Sequence, residues 1–316
     1  MGSLAQKGLK MIKRKRIDWA RHIFIIVMLA WAIIHFLVFW VYVNANSFVL
    51  TFFKFNTATA EYEWYGLTRF QNIFNDMILG RDPLVVQNLK NSLWCFPVQN
   101  FIILPLSYFS AYFLFKKVPL SNLFRVIFFI PSMLSVVVLA MSFKFMWNAD
   151  FGPVSTFLRD TFSLNIDWFS SMSPTAMPLV FTFGVWAGLG YDIVLLNGAI
   201  SRLPQEVIEA AKLDGCGVTR EMFQIILPLV MPTYSTLFII GTLGVFSYYL
   251  QPMLLCGDDG GVNGNTGTVA LRVIYMTTNG QTEDAAAFGL FFSLIGIPFI
   301  LLIKWAINKL IPDVEY

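Results

Sequence analysis

Few residues in this chain are arranged for chemistry, and those that are suit binding rather than the making or breaking of bonds. Gly184, Ala187, Gly188 and Tyr191 fall at i, i+3, i+4 and i+7, one face of a helix. Gly241, Gly244 and Tyr248 follow at i, i+3 and i+7 further along the chain. Small residues leave room, and a tyrosine offers a flat apolar ring with a hydroxyl at its edge. That pairing suits a solute with apolar CH faces and a polar rim, such as a sugar ring. The same small residues also suit close packing of helix against helix. Asp192 is the lone carboxylate deep inside an apolar stretch, where such a residue faces a cavity, a substrate or a partner's basic side chain.

Catalytic constellations are missing. No lysine is followed by serine or threonine, so the chain lacks the end of a phosphate-binding Walker loop and is not its own ATPase by that motif. No Gly-x-Ser-x-Gly nucleophile elbow occurs. Cys95, Cys216 and Cys256 lie far apart, and the two histidines, His22 and His35, stand alone near the start. Neither a disulfide framework nor a metal site is expected from them. The expectation is a non-catalytic chain with no metal and no cofactor of its own.

The elements that carry these residues follow from composition. Of 316 residues, 57% are hydrophobic and 13% charged, against about 25% charged in a soluble domain. The apolar residues gather into runs long enough to cross a hydrocarbon core of about 30 Å. Six spans are expected, near His22–Val43, Leu89–Phe115, Leu123–Trp147, Ala176–Ile200, Thr233–Leu255 and Ala286–Ile307. Backbone groups cannot go unpaired in lipid, so the spans are helices and the fold class is an all-α membrane protein. The segment 1–21 carries Lys7, Lys10, Lys13, Arg14, Lys15, Arg16 and Arg21, which reads as a positive-inside anchor rather than a nucleic-acid arm. The run after it is too long for the central region of a signal peptide and should stay in the membrane. Residues 22–316 then form one transmembrane domain.

Orientation follows from the basic residues. With the N-terminus inside, cytoplasmic segments collect 15 of the 22 lysines and arginines, and the outer side collects 11 of the 19 acids. Both termini are therefore expected in the cytoplasm of a multi-pass plasma-membrane protein. The outer loops, about Asn44–Asn88, Asn148–Thr175 and Cys256–Ala285, carry Trp64, Tyr65, Trp147, Trp168 and Phe169, which suit an interfacial or docking surface. The first is long enough for short interfacial helices. Pro97, Pro105, Pro131 and Pro298 fall inside spans, as kinks or as points where a bundle flexes.

The inner loop 201–231 is longer and better punctuated than a connector needs to be. Pro204 suits a first helical position and Glu206 the positive end of the helix dipole. Asp214-Gly215 ends this short helix with a residue that tolerates positive φ. Thr219 is a candidate N-cap for a second short helix through Ile226, with Pro228 breaking it before the fifth span. Two short helices with a slim alanine ridge should project from the membrane, shaped to enter a groove on another protein.

The residues of this loop resemble those of a known family. Glu209-Ala210-Ala211, then Gly215, then Ile225-Ile226-Leu227-Pro228 match the signature Glu-Ala-Ala, three residues, Gly, nine residues, Ile-x-Leu-Pro. That is the mark of permease subunits of binding-protein-dependent ABC importers. Further stretches resemble the carbohydrate-importing branch: Tyr65-Gly66-Leu67, Phe128-Phe129-Ile130-Pro131, Asp150-Phe151-Gly152 and Trp186-Ala187-Gly188-Leu189-Gly190. Gly260-Gly261-Val262 stands where that branch usually has Gly-Gly-Pro.

The resemblance implies a type I importer permease fold moving a sugar or oligosaccharide by alternating access. It implies a second, related permease as heterodimer partner, an extracytoplasmic sugar-binding protein, and a cytoplasmic ABC ATPase dimer that binds the ATP and magnesium. Membrane lipid surrounds the chain, and no nucleic acid is involved. Glu209, Ala210, Ala211, Gly215, Ile225, Leu227 and Pro228 would couple to the ATPase. Gly184, Ala187, Gly188, Tyr191, Asp192, Gly241, Gly244 and Tyr248 would line the substrate path, with Gly188 and Tyr191 matching sugar-contacting positions best. A polyol, glycerol phosphate or another small solute would fit the same machinery. A secondary transporter driven by an ion gradient is the alternative from another class, though internal repeats and several intramembrane charges would then be expected.

Overall fold

The structure, a computed structural model, describes residues 19–56, 58–164, 166–170, 172–257 and 264–310. Most of the basic segment 1–21, the Gly260-Gly261-Val262 stretch and the C-terminal residues 311–316 lie outside the described residues. The chain divides into two compact units, Met1–Leu50 and Thr51–Tyr316. In the first, α1 (Ile23–Leu50) is a single apolar helix long enough to cross a membrane. A π-helical stretch at Leu37–Tyr42 interrupts it.

The second unit is a helix bundle. Its helices long and apolar enough to span are α3 (Pro83–Phe115), α7 (Ala176–Ile200), α9 (Val218–Phe246) and α12, whose apolar part is Thr282–Lys309. A further candidate span is the broken pair α4 (Ser121–Met133) and α5 (Val136–Met146), bent by 107°. One continuous helix was expected there. Pro131 removes a hydrogen-bond donor near the end of α4, and Leu134 and Ser135 are extended (ψ 155° and 130°), so the chain turns at that point.

α9 departs from expectation the other way. Gly217, not Thr219, precedes its first residue, and the helix runs through Pro228 without ending. A π-helical turn at Glu221–Ile226 lies immediately before the proline. The ring of Pro228 would crowd the carbonyl four residues back, and a wider turn at that place relieves the clash. α3 repeats the device: its π-helical stretch Val98–Ile103 stands just before Pro105. α9 also ends early, in a tight turn at Gly244–Phe246, and α10 (Leu250–Cys256) starts afresh.

Shorter elements lie near the start of α12. The segment expected as the first outer loop forms a β-hairpin as well as a helix: β1 (Phe53–Asn56) pairs antiparallel with β2 (Glu61–Trp64), and α2 (Thr68–Ile78) follows. Arg69, buried on α2, donates to Asp284 at 2.6 Å and to the carbonyls of Phe53 (2.6 Å) and Thr51 (3.3 Å). This ties the hairpin to the first turn of α12. α6 (Pro153–Phe162), α8 (Gln205–Leu213) and α11 (Val269–Thr278) are the other helices used below. One buried cluster packs Tyr108, Tyr112, Leu196, Ile200 and Ile226 between α3, α7 and α9. Another joins Leu139, Ala140, Val180, Phe183 and Leu255 of α5, α7 and α10. Lipid is as apolar as these side chains, so close fit and interhelical hydrogen bonds hold the bundle.

Candidate functional site

A cleft of about 490 Å³ opens between α3, the α4–α5 bend, α7 and α9. Gly184, Ala187, Gly188, Tyr191, Asp192, Gly241, Gly244 and Tyr248 all line it. The two small-residue faces therefore meet across one space. One detail differs: α9 ends at Phe246, so Tyr248 reaches the cleft from the turn after the helix rather than from its face.

The glycines divide into two kinds. A Cβ on Gly184 would lie 3.0 Å from the Tyr248 hydroxyl, and one on Gly241 would lie 2.6 Å from Gln99 Cγ and 2.7 Å from Asn100 Oδ1. These two glycines are small because neighbours press against them. A Cβ on Gly188 would meet only Ile103 at 3.6 Å, and one on Gly244 would meet nothing within 4 Å. Those two leave space. Packing and room, which the spacing could not separate, are thus split between positions.

The polar groups are few. Asp192 is buried, and its Oδ2 accepts from Gln99 Nε2 at 3.2 Å. Tyr248 donates to the Val180 carbonyl at 3.4 Å, while its own carbonyl accepts from Thr268 Oγ1 at 2.6 Å. Both ends of that residue are held. Tyr191 is 57% exposed, with its ring free to meet a solute. Gln99, Ser132 and Gln251 complete the polar lining, and among the described residues no lysine or arginine lines the cleft. The sequence reading did not single these three out. The signal for Gln99 was present, since Gln99 and Asn100 are adjacent amides in the middle of an apolar run. Ser132 comes into place only through the bend, which periodicity does not reveal.

On the side of the bundle where α7 ends and α9 begins, α8 stands on its buried Ile208 and Ala211 and exposes Glu209, Ala210 and Leu213, the last at 90%. Only one of the two signature alanines is therefore on the free face. Gly215 ends the helix at φ +72°, with Gly215 N bonded to Lys212 O at 3.1 Å and Cys216 N to Ala211 O at 3.0 Å. This paired closure needs a left-handed residue. Ile225 and Leu227 are half-buried and Pro228 exposed, all on the continuous α9 rather than on a separate second helix.

Residues 103–316 match the family described as binding-protein-dependent transport system inner membrane component. Among similar proteins is the arabinooligosaccharides transport system permease protein AraP of Halalkalibacterium halodurans, 24% identical and covering 88% of this chain and 83% of its own. Another is the sn-glycerol-3-phosphate transport system permease protein UgpA of Pectobacterium atrosepticum, 25% identical over 67% and 68% of the two chains. A chain of a bacterial alginate ABC transporter, solved in complex with an alginate pentasaccharide-bound periplasmic protein, superposes with a TM-score of 0.79 at 17% identity. It covers 94% of this chain and 98% of that one, which shows a shared fold.

Proposed function

The chain belongs to the family of binding-protein-dependent transport system inner membrane components, and from that membership we propose that it is the permease subunit of an ATP-driven importer for a neutral sugar or oligosaccharide. The multi-pass inner-membrane location follows from the family and from the apolar helices. A transporter driven by an ion gradient is set aside on the same ground. The chain works beside a second, related permease and takes its cargo from an extracytoplasmic binding protein. Both termini face the cytoplasm. An ABC ATPase dimer there binds ATP and magnesium and receives α8 in a groove, with Glu209 as the polar contact and Gly215 as the fixed turn.

The observation that carries the cargo assignment is the lining of the cleft. Tyr191 and Tyr248 supply rings for CH faces, Gln99, Gln251 and Asp192 supply hydrogen-bond partners, and Gly188 and Gly244 leave the space. The only charge there among the described residues is negative, which disfavours an anion such as glycerol phosphate. A buried carboxylate facing a phosphate would repel it in a region where water screens little. The names of similar proteins include both kinds of cargo, so charge decides between them. Uptake by the complete transporter in proteoliposomes, screened over neutral glycans, uronates and glycerol phosphate, tests the reading. Transport of the anions alone would sink it.

A further inference from the structure

The last turns of α3 and the Lys116 that caps it carry three side chains four residues apart: Tyr108, Tyr112 and Lys116. All three grip the start of α9, directly after the loop that carries α8. The buried Tyr108 hydroxyl donates to the Met222 carbonyl at 2.6 Å. Tyr112 donates to the Val218 carbonyl at 3.4 Å. Lys116 forms an ion pair with Glu221, which is itself buried, and its ammonium lies 5.7 Å from the centre of the Tyr112 ring. A buried carboxylate is costly unless paired, so this contact holds one geometry.

The same helix reaches the cleft. Gln99 bonds to Asp192 of α7 at 3.2 Å, and Asn100 to Thr242 of α9 at 3.4 Å, roughly 25 Å along α3 from Lys116 at 1.5 Å per residue. These contacts fasten the first turns of α9 to a helix 114 and 106 residues away in sequence. We propose that Tyr108, Tyr112 and Lys116 are positioning residues that transmit displacement of the α8 loop into α3, so that α3 carries it to the Gln99–Asp192 contact and reshapes the cleft. They touch neither solute nor nucleotide. This rests on the functional reading above, in which a partner ATPase moves α8.

The test uses the full transporter in proteoliposomes with its binding protein outside. Lys116→Met and Glu221→Gln should keep ATP hydrolysis within about twofold of normal, while solute imported per ATP falls about tenfold, a coupling loss of ordinary size. Lys116→Glu combined with Glu221→Lys should restore the ratio. Tyr108→Phe keeps the ring packing and removes one hydroxyl, so it should fold even where the charge variants do not, and it should lower the same ratio. A ratio unchanged in Lys116→Met and in Tyr108→Phe overturns the proposal, as does a charge swap that recovers nothing. A second readout needs no cargo. A bimane on Gly244→Cys, with the three native cysteines replaced by serine, should change fluorescence with ATP in the parent and lose that change in Lys116→Met. If the parent imports none of the sugars yet shows this signal, the cargo assignment fails and the linkage stands.

Discussion

The hydroxyl of Tyr248 lies against Gly184 so closely that a Cβ at position 184 would sit 3.0 Å from it. Tyr248 has little freedom to retreat, because its hydroxyl bonds to Val180 and its carbonyl to Thr268. We predict that Gly184→Val lowers thermal stability in detergent by an overpacking cost of about 1–3 kcal/mol. Gly244→Ala, whose Cβ meets nothing within 4 Å, should leave the melting temperature alone and instead weaken uptake of bulky cargo. Equal melting shifts in the two variants would contradict the division of the glycines.

Gly241 sits under Gln99 and Asn100, with gaps of 2.6 and 2.7 Å to a notional Cβ. Gly241→Ala should push α9 away from α3 and disturb both the Asn100–Thr242 and Gln99–Asp192 bonds. Expected is a loss of both stability and transport, separable from Gly244→Ala by a thermal-shift assay. A Gly241→Ala protein of normal stability would mean that the helices give way without cost.

Glu209 is exposed on α8, whose fold is secured by buried Ile208 and Ala211 and by the Gly215 closure. Its removal should therefore cost the fold less than about 0.5 kcal/mol. If α8 docks on a partner ATPase as proposed, Glu209→Ala should insert and melt normally yet lose at least about tenfold in uptake. Gly215→Ala makes the contrasting case. At φ +72° a side chain is strained, so this variant should destabilise the helix end itself by about 1 kcal/mol. Normal uptake by Glu209→Ala would remove α8 as the coupling element.

Much of this arrangement could be read from residue types, and the failures share one cause. Spacing put Gly184, Ala187, Gly188 and Tyr191 on one helix face, and they line one cleft because α7 is an unbroken helix from Ala176 to Ile200, with a period of 3.6 along its whole length. Spacing also put Tyr248 on a helix face, and proline's usual effect put a break at Pro228; the helix instead ends at Phe246 and runs through Pro228. A proline's effect depends on whether the preceding turn can widen, and that depends on tertiary neighbours rather than on the proline. Glu221 was likewise unreadable as a buried residue, since its partner Lys116 is distant in sequence. The outer hairpin escaped notice too. Its cross-strand pairs Phe53–Trp64 and Phe55–Tyr62 alternate over only four residues per strand.

Arg69 holds the outer hairpin through three acceptors, one of them the carboxylate of Asp284, which is half exposed. The carboxylate bond is screened by water on one side and counts for little. The two bonds to backbone carbonyls, at 2.6 Å to Phe53 and 3.3 Å to Thr51, tie the arginine to the hairpin strand itself. Arg69→Met keeps the bulk and removes the donors. The hairpin and α2 should then open to limited proteolysis while the spans remain protected. A digestion pattern identical to that of the parent would show that the hairpin stays in place without its arginine.

Asp192 offers the sharpest separation of structural from selective roles. Its Oδ2 accepts from Gln99, and an asparagine at 192 keeps an acceptor oxygen there while losing the charge. If the residue mainly ties α7 to α3, Asp192→Asn should behave as the parent, whereas Asp192→Ala should lose stability by leaving the Gln99 amide unpaired. If the charge also screens cargo, Asp192→Asn should let anionic sugars in. We predict the second pattern superimposed on the first: a melting temperature close to the parent's in Asp192→Asn, with the uptake ratio of uronate to neutral glycan raised about tenfold. That factor corresponds to removing about 1.4 kcal/mol of repulsion. A ratio that stays fixed while Asp192→Ala unfolds would confine Asp192 to holding the helices together.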